Sequence, residues 1–359
     1  MSMMCKLAKG AFLAASLLAA SAVYADEIDF AGNMHGITVK PGDNDMAPAI
    51  KPKHGPPWKI GMSHFGLSNT WTIQMAHDAE FEASKHKEIG QFLLRNADLQ
   101  QSKQVADIED LIAQGVDALI VTPLTPTSAD AGIEKAMKMG IPVVVHTGLT
   151  ETKAYSVDLQ GGGVHFGKVM GDYLVKQLGG KGNIWVLRGV PSHPEDINRY
   201  KGLVEALKGT DIKITMEQYG NWEYDAAHKV CENQFLADPN VQGIWSSGAD
   251  MARACIDVFQ ANGTPIPPIT GEGNNGFFRR WKDLDLKSIS PEYGPEQGAA
   301  GVRIALDLLE GKPLHHRYIY EPAPITEADR DNYFRADLSD NYWFPTSLTE
   351  ELKKKYYGQ

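Results

Sequence analysis

The chain has 359 residues, of which 43% are hydrophobic and 22% are charged, and its formal net charge is -10. A chain of this length exceeds one ordinary hydrophobic core and predicts two lobes. The negative charge argues against nucleic acid or an anionic membrane surface as the main partner, because both repel an acidic protein.

The first 25 residues predict a cleaved signal peptide. Lys6 and Lys9 form a basic start, residues 11–22 form a short apolar run, and Val23-Tyr24-Ala25 offers a cleavage site. A membrane anchor is the alternative, although residues 26–57 hold no second apolar run to support it. Export through a signal peptide predicts a periplasmic location.

Export also bears on Cys231 and Cys255, since exported proteins fold in an oxidising compartment. Both cysteines fall on predicted helices that flank one strand. They either pair as a disulfide or stay two buried thiols. Their spacing matches no metal site, and we expect neither a metal nor a cofactor.

Residues 26–57 predict an N-terminal arm that wraps the surface rather than a domain. The segment holds five prolines, several glycines and little apolar periodicity. The repeating part of the chain therefore begins at Trp58.

From Trp58 onward, short apolar runs alternate with longer stretches of helical periodicity. In the first half the predicted strands are 60–65, 92–95, 118–121 and 142–145, and the predicted helices are 71–85, 103–114 and 128–139. In the second half the strands are 183–187, 213–218, 243–246 and 266–270, and the helices are 164–178, 195–207, 224–236 and 250–260. Strand 286–290, helix 296–309 and strand 318–320 follow. Such alternation predicts an α/β protein with two parallel sheets, each flanked by helices.

The turn after the first predicted strand is the first candidate binding element. It holds Phe65, Ser68, Asn69, Trp71 and Thr72, which are two aromatic side chains interleaved with hydrogen-bonding groups. A strand that leads through a turn into a helix places the turn at the carboxyl edge of a parallel sheet, where small ligands bind. The turn therefore predicts one half of a small-molecule cleft.

Five segments of the chain carry a resemblance to a known family. They are Gly-Val-Asp-Ala-Leu-Ile-Val-Thr-Pro at 115–123, Gly-Ile-Pro-Val-Val at 140–144, Gly-Lys-Val-Met-Gly-Asp-Tyr-Leu at 167–174, Arg-Tyr-Lys-Gly-Leu at 199–203 and Asp-Pro-Asn-Val-Gln-Gly-Ile at 238–244. In this order they resemble the periplasmic sugar-binding proteins of the ribose-binding type, which are the solute-binding subunits of ABC importers. The resemblance covers roughly 59–344 and implies two Rossmann-like lobes that are joined by a three-segment hinge, with the ligand cleft between them.

The resemblance implies chain crossings near 157–158, 292–293 and 321–322. The N-terminal lobe is then 58–157 plus 293–321, the C-terminal lobe is 158–292 plus 322–345, and 346–359 is a C-terminal tail. We expect a monomer.

The family's ligand positions fall on residues of both lobes. They are Phe65, Asn69, Trp71, Thr72, His146 and Thr147 in the first lobe, and Glu195, Asp196, Trp222, Ser247, Asp250, Glu272, Asn274 and Glu292 in the second lobe or the hinge. Trp71 and Trp222 would preserve an aromatic sandwich for a sugar ring. The Asp-Arg pair that often grips hydroxyls in the family is replaced by Thr147 and Gly148. An arginine of the second lobe is replaced by Ile197.

Two ligand classes fit this residue set. Carboxylates accept hydrogen bonds from vicinal hydroxyls, so a sugar or polyol is favoured. Aromatic walls and unpaired carboxylates would also suit an amine-type cation.

The favoured function is delivery of a solute to an ABC transporter permease, and a periplasmic sensor or chemoreceptor binding protein is the alternative. An enzyme is disfavoured, since no nucleophile–base motif is found. DNA-binding repression is disfavoured too, because a signal peptide stands where a helix-turn-helix would be.

Overall fold

The computed structural model describes residues 36–321 and 323–359. The signal-peptide prediction and the first ten residues of the predicted arm lie outside the described residues. In the described part of the chain, no helix is long and apolar enough to cross a membrane.

The first sheet has seven strands in the order β1-β12-β6-β5-β4-β2-β3. Its strands are β1 (Ile37–Val39), β2 (Trp58–His64), β3 (Ile89–Asn96), β4 (Ala118–Thr122), β5 (Val143–His146), β6 (Val157–Gln160) and β12 (Arg317–Tyr320). All neighbouring pairs are parallel except β1 with β12 at the edge. The helices between these strands are α1 (Thr70–Lys85), α2 (Gln101–Ala113) and α3 (Asp130–Lys138), and α9 (Gln297–Leu309) precedes β12.

The second sheet has six strands in the order β13-β11-β10-β9-β7-β8. Its strands are β7 (Lys181–Arg188), β8 (Asp211–Tyr219), β9 (Gly243–Ser246), β10 (Ile269–Thr270), β11 (Ser288–Pro291) and β13 (Pro324–Ile325). Its helices are α4 (Gly163–Leu178), α5 (Pro194–Leu207), α6 (Tyr224–Ala237), α7 (Ala249–Ala261) and α8 (Asn275–Asp283). The predicted α/β class with two mostly parallel sheets is confirmed.

Each sheet buries both of its faces, because side chains alternate along every strand. On β4, Ile120 joins the apolar cluster under α1 and α9, while Val121 joins the cluster under α2 and α3. On β7, Trp185 lies in the core with α6, α7 and α8, while Val186 lies in the core with α4 and α5. This layering leaves the carboxyl ends of both sheets free to form a site.

The chain passes between the sheets at three places. The first crossing comes later than predicted: β6 pairs in the first sheet with β5 and β12, so the chain leaves that sheet after Gln160. The predicted boundary at 157–158 is too early, because a four-residue strand in which every second residue is polar does not form a recognisable apolar run. The other two crossings lie between Pro291 and Gln297 and between Tyr320 and Pro324.

The C-terminal residues are not a loose tail. Leu338, Tyr342, Phe344 and Leu348 are buried in the core of the second lobe. Two further helices, α10 (Arg330–Tyr333) and α11 (Glu350–Tyr357), lie on either side of this stretch. Residues 342–348, named here the C-terminal strap, also bond to α1 of the first lobe.

The strap meets α1 through two buried side chains. The Gln74 amide donates to the carbonyl of Trp343 at 2.7 Å and accepts from its backbone N–H at 2.8 Å. The Asp78 carboxylate accepts from the Thr346 hydroxyl at 2.8 Å and from the backbone N–H of Ser347 at 2.5 Å. The strap therefore ties the two lobes together in addition to the three crossings.

A disulfide joins Cys231 of α6 to Cys255 of α7, with Cα atoms 5.3 Å apart. Both residues are fully buried. Of the two states that the sequence left open, the structure contains the disulfide, which is consistent with an oxidising compartment.

Candidate functional site

A cavity of about 50 Å³ lies between the carboxyl edges of the two sheets. Its lining residues are Phe65, Asn69, Trp71, Thr72, Thr147, His193, Glu195, Arg199, Trp222, Gly248, Ala249, Asp250, Glu272, Tyr293 and Trp343. Both lobes contribute, and so do the second crossing through Tyr293 and the strap through Trp343. A cavity of this volume has room for roughly three to five water molecules.

The first-lobe wall is fixed by the start of α1. Asn69 caps the helix, since its side-chain oxygen accepts from the backbone N–H of Thr72 at 2.9 Å. In return, the Asn69 backbone N–H donates to the Thr72 hydroxyl at 3.4 Å, and that hydroxyl donates to the Asn69 carbonyl at 3.0 Å. This reciprocal cap sets the backbone from which Trp71 enters the cavity.

The aromatic rings form two groups rather than one simple sandwich. Trp71 faces Tyr293 with ring centroids 5.6 Å apart, and its indole N–H donates to the Tyr293 carbonyl at 2.9 Å. Phe65 packs on His193 at 4.5 Å, and His193 meets the Trp222 ring edge-on at 5.1 Å. Each group contains a residue of α1 or its preceding turn, so apolar surface is offered at two places in the cavity.

Trp222 occupies a seat made by two glycines. A Cβ on Gly189 would lie 2.1 Å from Cε2 of Trp222, and a Cβ on Gly248 would lie 2.8 Å from its Cδ1. Trp222 itself has a left-handed backbone with φ of 57°, as does Thr147 with φ of 47°. Such conformations are rare for these residue types and cluster at ligand sites.

Arg199 is the central cation of the second-lobe wall. Its Nη2 donates to Glu272 Oε1 at 3.0 Å and its Nη1 donates to the Ser247 carbonyl, so the guanidinium is held by both. It lies 3.8 Å from the Phe166 ring centroid and 4.7 Å from that of Tyr293. Arg199 is therefore a buried guanidinium held in place by an acid, a carbonyl and two aromatic rings.

Glu195 is the buried acid with the fewest partners in this wall. Burial raises the pKa of Glu195 to about 7, and the nearby Arg199 opposes that rise only in part. Its Oε2 has no hydrogen-bond partner among the described residues. Burial likewise lowers the pKa of His193 to about 3, so the imidazole is neutral.

Asp250 joins the two walls. Its Oδ2 accepts from the Thr70 hydroxyl at 2.7 Å, and its Oδ1 accepts from Arg253 Nη1 at 2.9 Å. The Trp343 indole N–H also donates to the Thr70 hydroxyl at 2.7 Å. In this structure the two lobes therefore touch at the cavity.

Nine of the predicted binding residues line the cavity and five do not. His146 is held in the core, where its ring nitrogens meet the Gln297 carbonyl at 2.7 Å and the Thr122 hydroxyl at 3.2 Å. Asp196 turns away to form an ion pair with Arg188, with oxygen and nitrogen 2.5 Å apart.

The other three have structural partners as well. The carbonyl of Ser247 accepts from the cavity residues Arg199 and Trp222. Asn274 caps α8 by accepting from the backbone N–H of Phe277. Glu292 lies on the second crossing, where it accepts from the Tyr333 hydroxyl at 3.3 Å. These residues position the site rather than line it.

Six lining residues were not predicted from the sequence: His193, Arg199, Gly248, Ala249, Tyr293 and Trp343. Arg199 is the first residue of the Arg-Tyr-Lys-Gly-Leu segment at 199–203, so the sequence does carry a signal for it. Tyr293 follows a predicted hinge residue directly. Trp343 had no sequence signal, because its place in the site depends on the strap.

Comparison with known proteins bears on what this cleft is. Residues 60–313, which make up more than half of the chain, match the periplasmic binding protein domain. The chain belongs to the periplasmic binding protein family. Membership implies a location in the periplasm or outside the cell, and the predicted resemblance is confirmed.

Several proteins similar to this chain are named for a sugar or polyol. The xylitol-binding protein of Mycolicibacterium smegmatis is 28% identical over 252 residues, which are 69% of this chain and 72% of the relative. The ribose import binding protein of Bacillus subtilis is 26% identical over 260 residues, covering 71% of this chain and 83% of the relative. A solved ABC transporter solute-binding protein from Actinobacillus succinogenes with bound D-allose superposes with a TM-score of 0.68 at 26% identity, covering 77% of this chain and 99% of that one.

Proposed function

We propose that this periplasmic binding protein captures a small neutral sugar or polyol between its lobes and delivers it to an ABC transporter permease. The observation that carries the proposal is the cavity between the sheet edges, which combines two groups of aromatic rings with hydrogen-bonding side chains. Rings suit the CH faces of a sugar, and the polar groups suit its hydroxyls.

The size of the cavity supports a compact solute. At about 30 Å³ of liquid volume per water, room for three to five waters corresponds to a ligand on the order of 100–150 Å³. The relatives named for xylitol, ribose and allose bind molecules of this kind.

The balance of charge favours a neutral ligand over an amine. Asp250 is paired with Arg253, and Glu272 is paired with Arg199. Glu195 has no ion pair among the described residues, and its pKa of about 7 leaves it partly protonated at neutral pH. The cavity thus holds less negative charge than its three acids suggest.

Capture would work by lobe closure about the three crossings. We assign residues 58–160 and 297–320 to the N-terminal lobe, which moves the first boundary to the end of β6. A ligand that contacts both walls stabilises the closed state through its differential affinity. Cleavage of residues 1–25 on export completes the proposal.

A thermal-shift screen followed by calorimetry tests the ligand class. The chain from residue 26 onward is mixed with xylitol, D-ribose, D-allose and, as the rival class, a diamine. A ligand at a hundred times its Kd should stabilise the protein by about 2.7 kcal/mol. A neutral polyol or sugar is expected to bind with little salt dependence.

Two results would contradict the proposal. Stabilisation by the diamine alone, with an affinity that falls steeply with salt, would show that the ligand is a cation. Loss of the bound sugar or polyol on long incubation, measured by mass spectrometry, would show chemistry beyond binding.

A further inference from the structure

A second recess lies in the first lobe, apart from the cleft. Its volume is about 430 Å³, and its lining residues are Lys40, Leu149, Thr150, Lys153, Tyr155, Asp158, Gln160, His316 and Arg317. Among the described residues, none of those that line the recess comes from the second lobe. The recess therefore does not depend on how the lobes close.

The floor of this recess interrupts an apolar row of the sheet. Val121, Val145, Asp158 and Arg317 are register partners on β4, β5, β6 and β12. The two valines are buried under α2 and α3, and that apolar cluster ends at Tyr155. Beyond it the row continues with an acid and a base, which is a costly place for a carboxylate unless it has a partner.

The carboxylate of Asp158 is buried with only one of its two oxygens hydrogen-bonded to a described residue. It is 3% exposed. Its Oδ2 accepts from the Gln160 amide at 2.7 Å, whereas its Oδ1 has no hydrogen-bond partner among the described residues. Nε of Arg317 is also buried without a partner in the described part of the chain. An unpartnered acceptor and an unpartnered donor thus belong to two residues that line the recess from adjacent strands.

Three cations surround this carboxylate. Lys40, Lys153 and Arg317 all act on it electrostatically. Lys40 Nζ already donates to Gln160 Oε1 at 2.6 Å, while Lys153 is exposed at the rim. With three cations and one acid, the formal charge of the recess is about +2 when His316 is neutral.

We propose that this recess binds a small oxyanion that also carries one hydrogen-bond donor, such as hydrogen phosphate or a hydroxycarboxylate. Arg317 and Lys153 bind the oxyanion oxygens, and Oδ1 of Asp158 accepts from the ligand's hydroxyl. The Tyr155 and His316 rings, stacked 4.7 Å apart, form a flat side of the recess. The carboxylate makes the site selective, because an oxyanion without a donor would place one acceptor against another, whereas a ligand O–H donates to Asp158.

Two matched pairs of probes test this proposal by calorimetry with the chain from residue 26 onward. At about pH 8, phosphate and sulfate are both dianions, but only phosphate keeps an O–H. Lactate and propionate differ likewise by one hydroxyl. Phosphate should bind at least about tenfold more tightly than sulfate, and lactate at least about tenfold more tightly than propionate. Whichever pair shows binding identifies the source of the oxyanion.

Variants locate the site. Asp158→Asn should reduce the phosphate-to-sulfate preference to about twofold or less, since an amide donates as well as accepts. Lys153→Gln should weaken phosphate binding severalfold. Because Lys153 is exposed, the substitution should leave the fold intact. Lys201→Gln, an exposed lysine on α5, is the control and should change nothing.

The proposal fails if no probe binds, which would leave the recess a hydrated surface feature. It also fails if sulfate and phosphate bind equally, or if the Asp158 and Lys153 variants bind like the wild type. None of these three results would contradict the proposed function of the cleft, because that function depends on the binding of neutral ligands there.

Discussion

The wall of the cavity that the first lobe supplies carries no charged side chain, whereas the second-lobe wall carries four: Glu195, Arg199, Asp250 and Glu272. The first wall is organised by a helix cap and two aromatic rings. The second is organised by ion pairs that are complete without a ligand. The difference suggests that the first lobe supplies shape and the second supplies polarity. Substitutions in the first wall should mainly weaken ligand binding, whereas substitutions in the second wall should mainly change stability.

The largest expected effect belongs to Arg199 and concerns folding. Arg199→Met leaves the buried Glu272 without its cation, and removing one partner of a buried ion pair costs about 3–5 kcal/mol. The free energy of unfolding, measured by urea denaturation, should fall by that amount. Arg95→Met, which breaks the more exposed pair with Asp110, should lower the free energy of unfolding far less, because water screens an exposed pair.

A double variant separates the pair from the arginine's other contacts. Arg199→Met with Glu272→Leu removes both buried charges and should recover much of the lost stability. If the single variant were as stable as the wild type, the second-lobe wall would not be organised by this pair.

The next effect is on affinity and belongs to the first wall. Trp71→Ala removes a ring that lies in the cavity, and losing such an anchor should weaken the best ligand roughly a hundredfold, or about 2–3 kcal/mol. Calorimetry measures this. The apo protein should also lose some stability, because Trp71 packs against three core clusters.

Trp71→Phe distinguishes stacking from positioning. Phenylalanine keeps an aromatic face but loses the hydrogen bond from the indole to the Tyr293 carbonyl. An affinity within about tenfold of the wild type is expected if stacking dominates. Equal losses for Phe and Ala would mean that the hydrogen bond, and not the ring, matters.

The third prediction concerns pH and the unpaired acid of the second wall. Burial raises the pKa of Glu195 from 4.5 to about 7, so the native state keeps a proton that the unfolded chain releases. The stability gained from that proton is complete below about pH 4.5 and is lost as the pH rises through about 7.

Glu195→Gln should remove this pH dependence. Relative to the wild type, the variant should gain stability on the order of 1–3 kcal/mol between about pH 4.5 and pH 8. Burial also raises the pKa values of Asp78, Asp158 and Glu296. Asp78 and Glu296 are present in both proteins and largely cancel in the difference, whereas Asp158 acts electrostatically on Glu195, so part of its titration remains in the difference. A difference that stays flat across this range would show that Glu195 is solvated.

The contrast between the walls also explains what the sequence could predict. The turn with Phe65, Asn69 and Trp71 follows a strand directly, and its place at the sheet edge is fixed by the α/β pattern alone. The second-lobe side chains depend on helix phase. Glu195 and Asp196 are adjacent, yet they point about 100° apart on a helix, so one lines the cavity and the other pairs with Arg188.

Other features had no local signal at all. β6 is short and alternates apolar with polar residues, so the predicted first crossing lies three residues before the end of β6. The strap reaches the site through contacts between residues more than 260 positions apart, such as Gln74 with Trp343. Pairings of this range depend on the whole packed structure and leave no periodicity in the sequence.

The smallest expected effect tests whether the strap belongs to this comparison as a link between the lobes. Asp78→Ala removes the acceptor for the Thr346 and Ser347 side chains, and these partly buried groups can recover some bonding from water. The free energy of unfolding should fall by about 1–2 kcal/mol. Glu80→Ala, on the exposed face of the same helix, is the control and should change it by less than about 0.5 kcal/mol.

If the strap holds the lobes together, the Asp78 variant without ligand should also show a larger radius of gyration in X-ray scattering, and saturating ligand should reverse that increase. An unchanged radius with the same loss of stability would mean that the strap stabilises α1 but does not restrain closure.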